Sequence, residues 1–229
     1  MKRAFPIFAL LTAVLLSYAL YEALVAAPTE QTMGNVQRIF YYHVPSAWTA
    51  FLLFTMNFVA SVWYLISRSS KADAIAVVTA EVGVVFCTVV LVTGPLWARP
   101  VWGIWWTWDV RLTSTLVLWL IYISYLMLRR FSTSGQTPVL AAALAIFGAL
   151  DIPLVYFSIW IFRTQHPQPV IGGGGSIDPR MWHVLLINWT AFLCFAALIC
   201  WSRYRLEILQ REVEETQALE ALLEPRNSR

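Results

Sequence analysis

Apolar runs of about the length that spans a bilayer recur six times along the chain, separated by short polar stretches. We predict transmembrane helices over residues 5–26, 47–67, 74–92, 114–128, 139–162 and 181–201. The pattern therefore indicates an all-α integral membrane protein with six transmembrane helices. Residues 1–204 form its membrane domain in this interpretation.

The Lys and Arg residues between these segments are unevenly distributed. Eleven of them fall on the side that holds both termini, and five fall on the other side. Because positive residues accumulate on the cytoplasmic side of a membrane, we expect both termini in the cytoplasm. Three loops then lie outside, over residues 27–45, 93–113 and 163–180.

The two ends of the chain need separate interpretation. Lys2 and Arg3 precede an apolar run longer than the core of a signal peptide, so we expect an uncleaved first span. Residues 205–229 combine many glutamates with apolar positions at helical spacing, which predicts an amphipathic cytoplasmic helix continuing span six. Both a solvated helix and a partner-docking helix fit that pattern.

Composition narrows the class of protein. The chain is 59% hydrophobic and only 13% charged, which fits a protein embedded in the lipid bilayer. The formal net charge of +3 is too small to indicate a nucleic-acid partner. Cys87, Cys194 and Cys200 all lie in predicted spans without CxxC spacing, so we interpret them as buried apolar residues.

One stretch fits neither a span nor an ordinary loop. Residues 97–111 read WARPVWGIWWTWDVR, and we call them the WWD segment. The segment contains five of the 12 tryptophans, namely Trp97, Trp102, Trp105, Trp106 and Trp108. Indole rings are typical of the membrane–water boundary, but rings this dense could also form a wall for a flat ligand.

The three histidines are candidate metal ligands. His43, His166 and His183 all fall at the outer face in the predicted topology. Two imidazoles from separate elements suit the axial positions of a haem iron. Zinc is the alternative, but it needs three or four ligands, and the outer carboxylates show no metal-site spacing.

Charged residues flank the tryptophans on the same face. Asp109 precedes span four, where it would cap the helix, or it would orient a neighbouring donor. A haem propionate would pair with a guanidinium. The candidate partners are Arg111, Arg99, Arg38 and Arg180.

Two acidic residues lie well inside predicted spans, away from the span ends. Glu81 and Asp151 serve either helix packing or a polar pathway, and we expect Glu81 to be protonated or paired. Pro153 should kink span five beside Asp151. The glycines at 172–175 make the third outer loop either a lid or a plain connector.

Five motifs together resemble a known family. WGIWWTWDVRLTS at 102–114 resembles the WWD signature of haem-handling proteins of cytochrome c biogenesis. RIFYYHVPSAW at 38–48, LVTGPLWARP at 91–100, RTQHPQPV at 163–170 and SIDPRM at 176–181 are similar to the CcmC family within that group. The resemblance covers nearly the whole chain. The larger CcmF and CcsA-type relatives have more spans.

This resemblance implies a function without bond chemistry, so we expect no enzyme. It makes His43 and His166 the axial ligands of a transiently held haem b, with the WWD tryptophans and Asp109 as its platform. His183 matches no ligand position. The family passes haem to the periplasmic chaperone CcmE at the bacterial inner membrane, in an ABC-type complex with CcmA, CcmB and the small protein CcmD. Pro167 departs from the family pattern beside the second ligand.

Two other functions compete with haem delivery. A permease that moves haem across the bilayer needs a polar path, for which Glu81 and Asp151 are the candidates. An electron-transfer cytochrome of b type places histidine pairs inside its spans, and no predicted span interior contains such a pair.

Overall fold

The computed structural model describes residues 3–162, 164–167 and 177–223. Within these ranges, six helical segments are long and apolar enough to cross a membrane, which confirms the predicted all-α class and span count. The helices are α1 (Ala4–Tyr21), α2 (Phe40–Ser67), α3 (Ser70–Trp102), α4 (Val110–Phe131), α5 (Thr137–Ala149), α6 (Asp151–Ile161) and α7 (Pro179–Leu223). A π-helical turn, Glu22–Ala26, extends α1, and a 3-10 turn, Asn35–Ile39, precedes α2.

Two helices extend further into the expected outer loops than the sequence predicts. Helix α2 begins at Phe40, so His43 lies in its first turn. Helix α3 continues to Trp102 through Pro95 and Pro100, so the loop expected from residue 93 begins only at Gly103. Each proline removes only one backbone hydrogen bond, and the apolar helix tolerates both.

Gly103 ends α3. Its φ of 78° is the left-handed conformation that glycine adopts most readily. Its N–H donates to the Arg99 carbonyl at 3.0 Å and so closes the last turn. The following residues, 103–109, form a short non-helical connection to α4.

The fifth span is interrupted near its middle. Helix α5 ends at Ala149 and α6 begins at Asp151, with a break at Leu150. Pro153 has no N–H to donate to the carbonyl four residues earlier, at Ala149, and this explains the break. The kink expected beside Asp151 is confirmed.

Helices α2 and α3 pack most extensively against each other, and a core of apolar side chains joins them to α4, α5, α6 and α7. At its centre, the rings of Phe54 and Tyr122 stack with centroids 3.8 Å apart. A Cβ atom at Gly83 would lie only 2.6 Å from the Phe54 ring, so glycine is what lets that ring approach α3. This packing fixes α2 against α3, where the candidate site lies.

Helix α7 is a single helix of 45 residues, about 68 Å long at the α-helical rise. The hydrocarbon core of a bilayer is only about 30 Å thick. The helix therefore continues well beyond the span predicted at 181–201, and it includes residues 205–223 of the predicted tail. The cytoplasmic location of that tail stays a prediction.

Candidate functional site

The structure brings two of the three histidines together. His43, from the first turn of α2, and His166, from residues 164–167, have ring centroids 6.5 Å apart and planes inclined by 32°. His183 is exposed and lines a separate groove of about 380 Å³ with Glu22 and Arg180. We call His43 and His166 the histidine pair.

Helix α3 holds His43. Its Nδ1 lies 2.9 Å from the hydroxyl of Thr93, 50 positions further along the chain. That hydroxyl donates its own hydrogen to the Val89 carbonyl at 2.7 Å, so it accepts from the Nδ1–H of His43. We infer from these two contacts that the proton of the neutral ring lies on Nδ1 and that Nε2 has a free lone pair.

His166 has the same tautomer for a different reason. Its Nδ1 lies 2.9 Å from the carbonyl of Pro167, which can only accept a hydrogen bond. Nε2 is again the free nitrogen. Protein atoms surround much of the ring, and this burial, together with the positive charge of Arg111, lowers the pKa of His166 to about 4 despite the opposing effect of the Pro167 carbonyl. A pKa this low leaves the ring uncharged at neutral pH.

The spacing of the histidine pair suits one metal ion. A metal–imidazole bond is about 2 Å long, so an ion between two Nε2 atoms separates the ring centroids by roughly 6 Å. The observed 6.5 Å is close to that distance. Within the described residues, no cluster of three or more His, Cys, Asp or Glu could hold a metal ion. Two imidazoles alone fit the axial ligation of haem iron.

Asp109 joins the WWD segment, α4 and the His166 segment. Its Oδ1 accepts from the backbone N–H of Leu112 at 2.9 Å, as an N-cap does. Its Oδ2 lies 3.4 Å from both the Thr107 hydroxyl and the backbone N–H of Gln165. Gln165 directly precedes His166. Asp109 thus caps α4 and also contacts the segment that presents the second imidazole.

Arg111 lies beside the histidine pair without a carboxylate partner at salt-bridge distance in the described part of the chain. Its guanidinium donates to the carbonyls of Val155 and Tyr156, at 3.3 and 3.5 Å. Its positive charge is the second cause, after burial, of the lowered pKa of His166. Arg111 therefore lies near the candidate ligands. Its hydrogen bonds to the two carbonyls are long.

Two of the other three predicted propionate partners, Arg38 and Arg99, donate to backbone carbonyls, and the third, Arg180, pairs with Asp178. Arg38 donates to the carbonyls of Ala23 and Ala27, at 2.7 and 3.0 Å, and so closes the end of the π-turn after α1. Arg99 is exposed and donates to the carbonyl of Gly103. Arg38 would have to leave two short hydrogen bonds to bind another group.

The five tryptophans do not form one flat wall. Trp97 meets Trp102 edge-to-face at 84°, and Trp106 meets Trp108 at 75°. Trp97 and Trp102 lie on α3, whereas Trp105, Trp106 and Trp108 lie in the connection to α4. Trp105 and Trp108 are 56% and 75% exposed, so they offer the most ring surface to a ligand or to lipid.

The two intramembrane acids differ in their surroundings. Glu81 accepts two hydrogen bonds from Arg203 of α7, at 2.8 and 2.9 Å. This pair joins α3 to α7, so a helix-packing role accounts for Glu81. Asp151 has a buried Oδ2 without a hydrogen-bond partner among the described residues.

Thr93 was not singled out by sequence reasoning. The only available signal was its place in the LVTGPLWARP motif, which says nothing about a contact 50 positions away.

Residues 172–175, the predicted glycine lid or connector, lie outside the described residues.

Comparisons with known proteins identify the family. The family described as heme exporter protein C matches residues 1–219. The heme exporter protein C of Bradyrhizobium diazoefficiens is 35% identical over 222 residues, covering 96% of this chain and 84% of that protein. The protein of the same name from Escherichia coli K12 is 33% identical over 198 residues, covering 86% and 80%.

A mitochondrial relative shows the same similarity. A putative cytochrome c biosynthesis ccmC-like protein of Marchantia polymorpha is 32% identical over 179 residues, covering 78% of this chain and 76% of that protein. The family match includes the histidine pair and the whole WWD segment. With six apolar helices and similarity along nearly its full length, the chain belongs to the heme exporter protein C family, CcmC, of cytochrome c biogenesis.

Proposed function

We propose that this chain holds haem b transiently between His43 and His166, beside the WWD segment, and delivers it to the haem chaperone CcmE. The observation that carries the proposal is the histidine pair, with ring centroids 6.5 Å apart and Nδ1 of each ring engaged in a hydrogen bond. Haem itself supplies an iron with two axial positions and two propionates.

The surroundings support delivery rather than permanent retention. His166 belongs to a short non-helical segment and keeps a partly exposed edge, so one side of the site is accessible. Trp105 and Trp108, in the connection that leads to Asp109, add exposed ring surface. A haem-delivery protein must bind haem and also leave it accessible to the chaperone. A site at the surface with one open side allows both.

Arg111 is the best-placed cation for a propionate. Its two carbonyl contacts, to Val155 and Tyr156, are long, so a carboxylate would form stronger charge-assisted hydrogen bonds. Arg38 is less suited because it already holds the carbonyls of Ala23 and Ala27.

The proposed setting is an ABC-type complex with CcmA, CcmB and CcmD in the bacterial inner membrane. The charge distribution supports a periplasmic location for the histidine pair, because most positive residues fall on the opposite side. In this complex CcmA supplies ATP-driven work, while this chain contributes the binding site and no bond chemistry.

Haem spectra of the purified protein test the proposal. We compare the wild type with His43→Ala and His166→Ala after expression with ample haem, and use His183→Ala as the matched control. The wild type should show the low-spin spectrum of two imidazole ligands. Either substitution in the pair should abolish that spectrum, whereas His183→Ala should keep it. Loss only in His183→Ala would contradict the ligand assignment.

A further inference from the structure

We propose that Thr93 is a positioning residue for His43, whose hydroxyl fixes the tautomer of the imidazole and the direction in which Nε2 points. The role in haem binding rests on the proposed function, because it requires that His43 bind iron. The tautomer itself is a property of the protein alone.

The geometry favours Thr93 as an acceptor toward His43, because the Val89 carbonyl lies closer to the hydroxyl and can only accept. A threonine hydroxyl has one hydrogen, and here that hydrogen goes to the Val89 carbonyl at 2.7 Å. The second contact of the hydroxyl, at 2.9 Å, is Nδ1 of His43. Nδ1 must then carry the proton, and Nε2 remains available as a metal ligand.

The anchor is rigid because it lies within helix α3. Val89 and Thr93 are one turn apart in α3, and α3 packs along α2, which carries His43. The next residue, Gly94, lies against the same ring, since a Cβ atom there would be 3.4 Å from Cε1 of His43. Thr93 and Gly94 together set both the hydrogen bond and the distance between ring and helix.

This contact also changes the chemistry of the ligand. A hydrogen bond from Nδ1–H increases electron donation from Nε2 to a bound metal, and it tunes the reduction potential of the iron. Removing the acceptor leaves Nδ1–H unsatisfied, which favours moving the proton to Nε2. A ring protonated at Nε2 cannot bind iron through that atom.

Substitutions at Thr93 distinguish the effect of its hydroxyl hydrogen bond from the effect of its side-chain packing. Thr93→Val keeps the shape and removes the acceptor, so haem affinity should fall about tenfold or more, and the reduction potential of the bound iron should rise. Thr93→Ser keeps the hydroxyl and should stay within about twofold of the wild-type affinity, since serine makes the same bond to the carbonyl one turn back.

Thr88 provides a matched control on the same helix. Its hydroxyl donates to the Val84 carbonyl at 2.8 Å, just as Thr93 does to Val89, but accepts from the indole of Trp119 at 2.8 Å. Thr88→Val should leave haem affinity and potential unchanged. A Thr93→Ser variant as weak as Thr93→Val would overturn the proposal, because packing rather than the hydroxyl would then be responsible.

A second measurement needs no haem. Nitrogen-15 spectra of histidine-labelled protein, with His43 assigned by its loss in His43→Ala, report which ring nitrogen is protonated. Wild type and Thr93→Ser should show His43 with its proton on Nδ1, and Thr93→Val should shift it toward Nε2. An unchanged tautomer in Thr93→Val would refute the role of Thr93, whereas a wild type that takes up no haem would refute the proposed function alone.

Discussion

The two imidazoles of the histidine pair are held by acceptors of different kinds. His43 donates to a side chain on another helix, and His166 donates to the carbonyl of the next residue. The orientation of His43 is therefore set by tertiary packing, whereas that of His166 depends on its own short segment. Buried surroundings keep His166 neutral over the physiological pH range.

A pH titration of His166 tests this description. Its pKa falls from an ordinary 6.5 to about 4, so the folded protein should keep this ring neutral at pH 5.5. As pH falls from about 6.5 to about 4, the unfolded chain takes up the proton first, and the contribution of His166 to stability is lost. Nuclear magnetic resonance titration of the haem-free protein measures the midpoint directly.

Arg111 provides the comparison for that titration. Replacing it by Gln removes a positive charge and should raise the midpoint of His166, while Arg111→Lys should keep it low. Burial is the larger cause, so even Arg111→Gln should not restore the ordinary value. A wild-type midpoint near 6.5 would show that water reaches the ring freely.

At the residue scale, sequence reasoning singled out the two candidate ligands but not the residues that contact them. His43 and His166 followed from family motifs, and the structure brings them together. The contact of Thr93 with His43 depends on how α2 and α3 pack, and no local pattern encodes that packing. The ligand roles and the tryptophan platform stay predictions.

At the scale of elements, the WWD segment contacts the segment that carries His166 at the start of α4. Asp109 caps this helix through Leu112 and reaches the backbone of Gln165 with its other oxygen. The sequence left open whether Asp109 is a cap or orients a neighbouring group. In the structure one carboxylate makes both kinds of contact, which explains why an acid, rather than Ser or Thr, is useful here.

Two substitutions of Asp109 should distinguish the contribution of the helix cap to stability from that of the negative charge. Asp109→Ala removes the cap and should lower the free energy of unfolding by about 1 kcal/mol. Asp109→Asn keeps a good N-cap acceptor and should stay close to the wild-type stability. Equilibrium unfolding in mixed detergent micelles measures the difference. Equal losses in both variants would show that charge, and not capping, dominates at this helix end.

Helix ends were the least predictable part of the fold. Six spans were evident from apolar runs, but α3 continues ten residues beyond its predicted end at Val92. The prolines and the tryptophan-rich composition suggested a loop there. Apolar residues between the prolines sustain the helix until Gly103, whose left-handed backbone stops it.

At the scale of the whole molecule, ion pairs hold three helices together at the end far from the histidine pair. Asp73 of α3 accepts two hydrogen bonds of 2.7 Å from Arg129 of α4 and one of 2.7 Å from Arg211 of α7. Its side chain is only 6% exposed. Because Arg211 lies beyond the sixth predicted span, this cluster also joins the extended part of α7 to the bundle.

Removing the acid should weaken the bundle. Asp73→Asn leaves Arg129 without its carboxylate partner, while Arg211 keeps Glu207, and we expect a loss of about 3 kcal/mol in the free energy of unfolding. Asp178→Asn is the control, because Asp178 pairs with the exposed Arg180 and should have little effect. Thermal unfolding in detergent compares them. Similar melting temperatures for both variants would mean that the Asp73 cluster is not stabilising.

The separation of the histidine pair along the chain has a consequence for biosynthesis. His43 belongs to the second span, whereas His166 follows the fifth, and Asp109 and Thr93 come from segments made between them. A nascent chain acquires its first imidazole early but completes the pair only after α6 has been synthesised and inserted. A truncated translation product that ends just before residue 166 would therefore contain five apolar helical segments but only one imidazole of the pair.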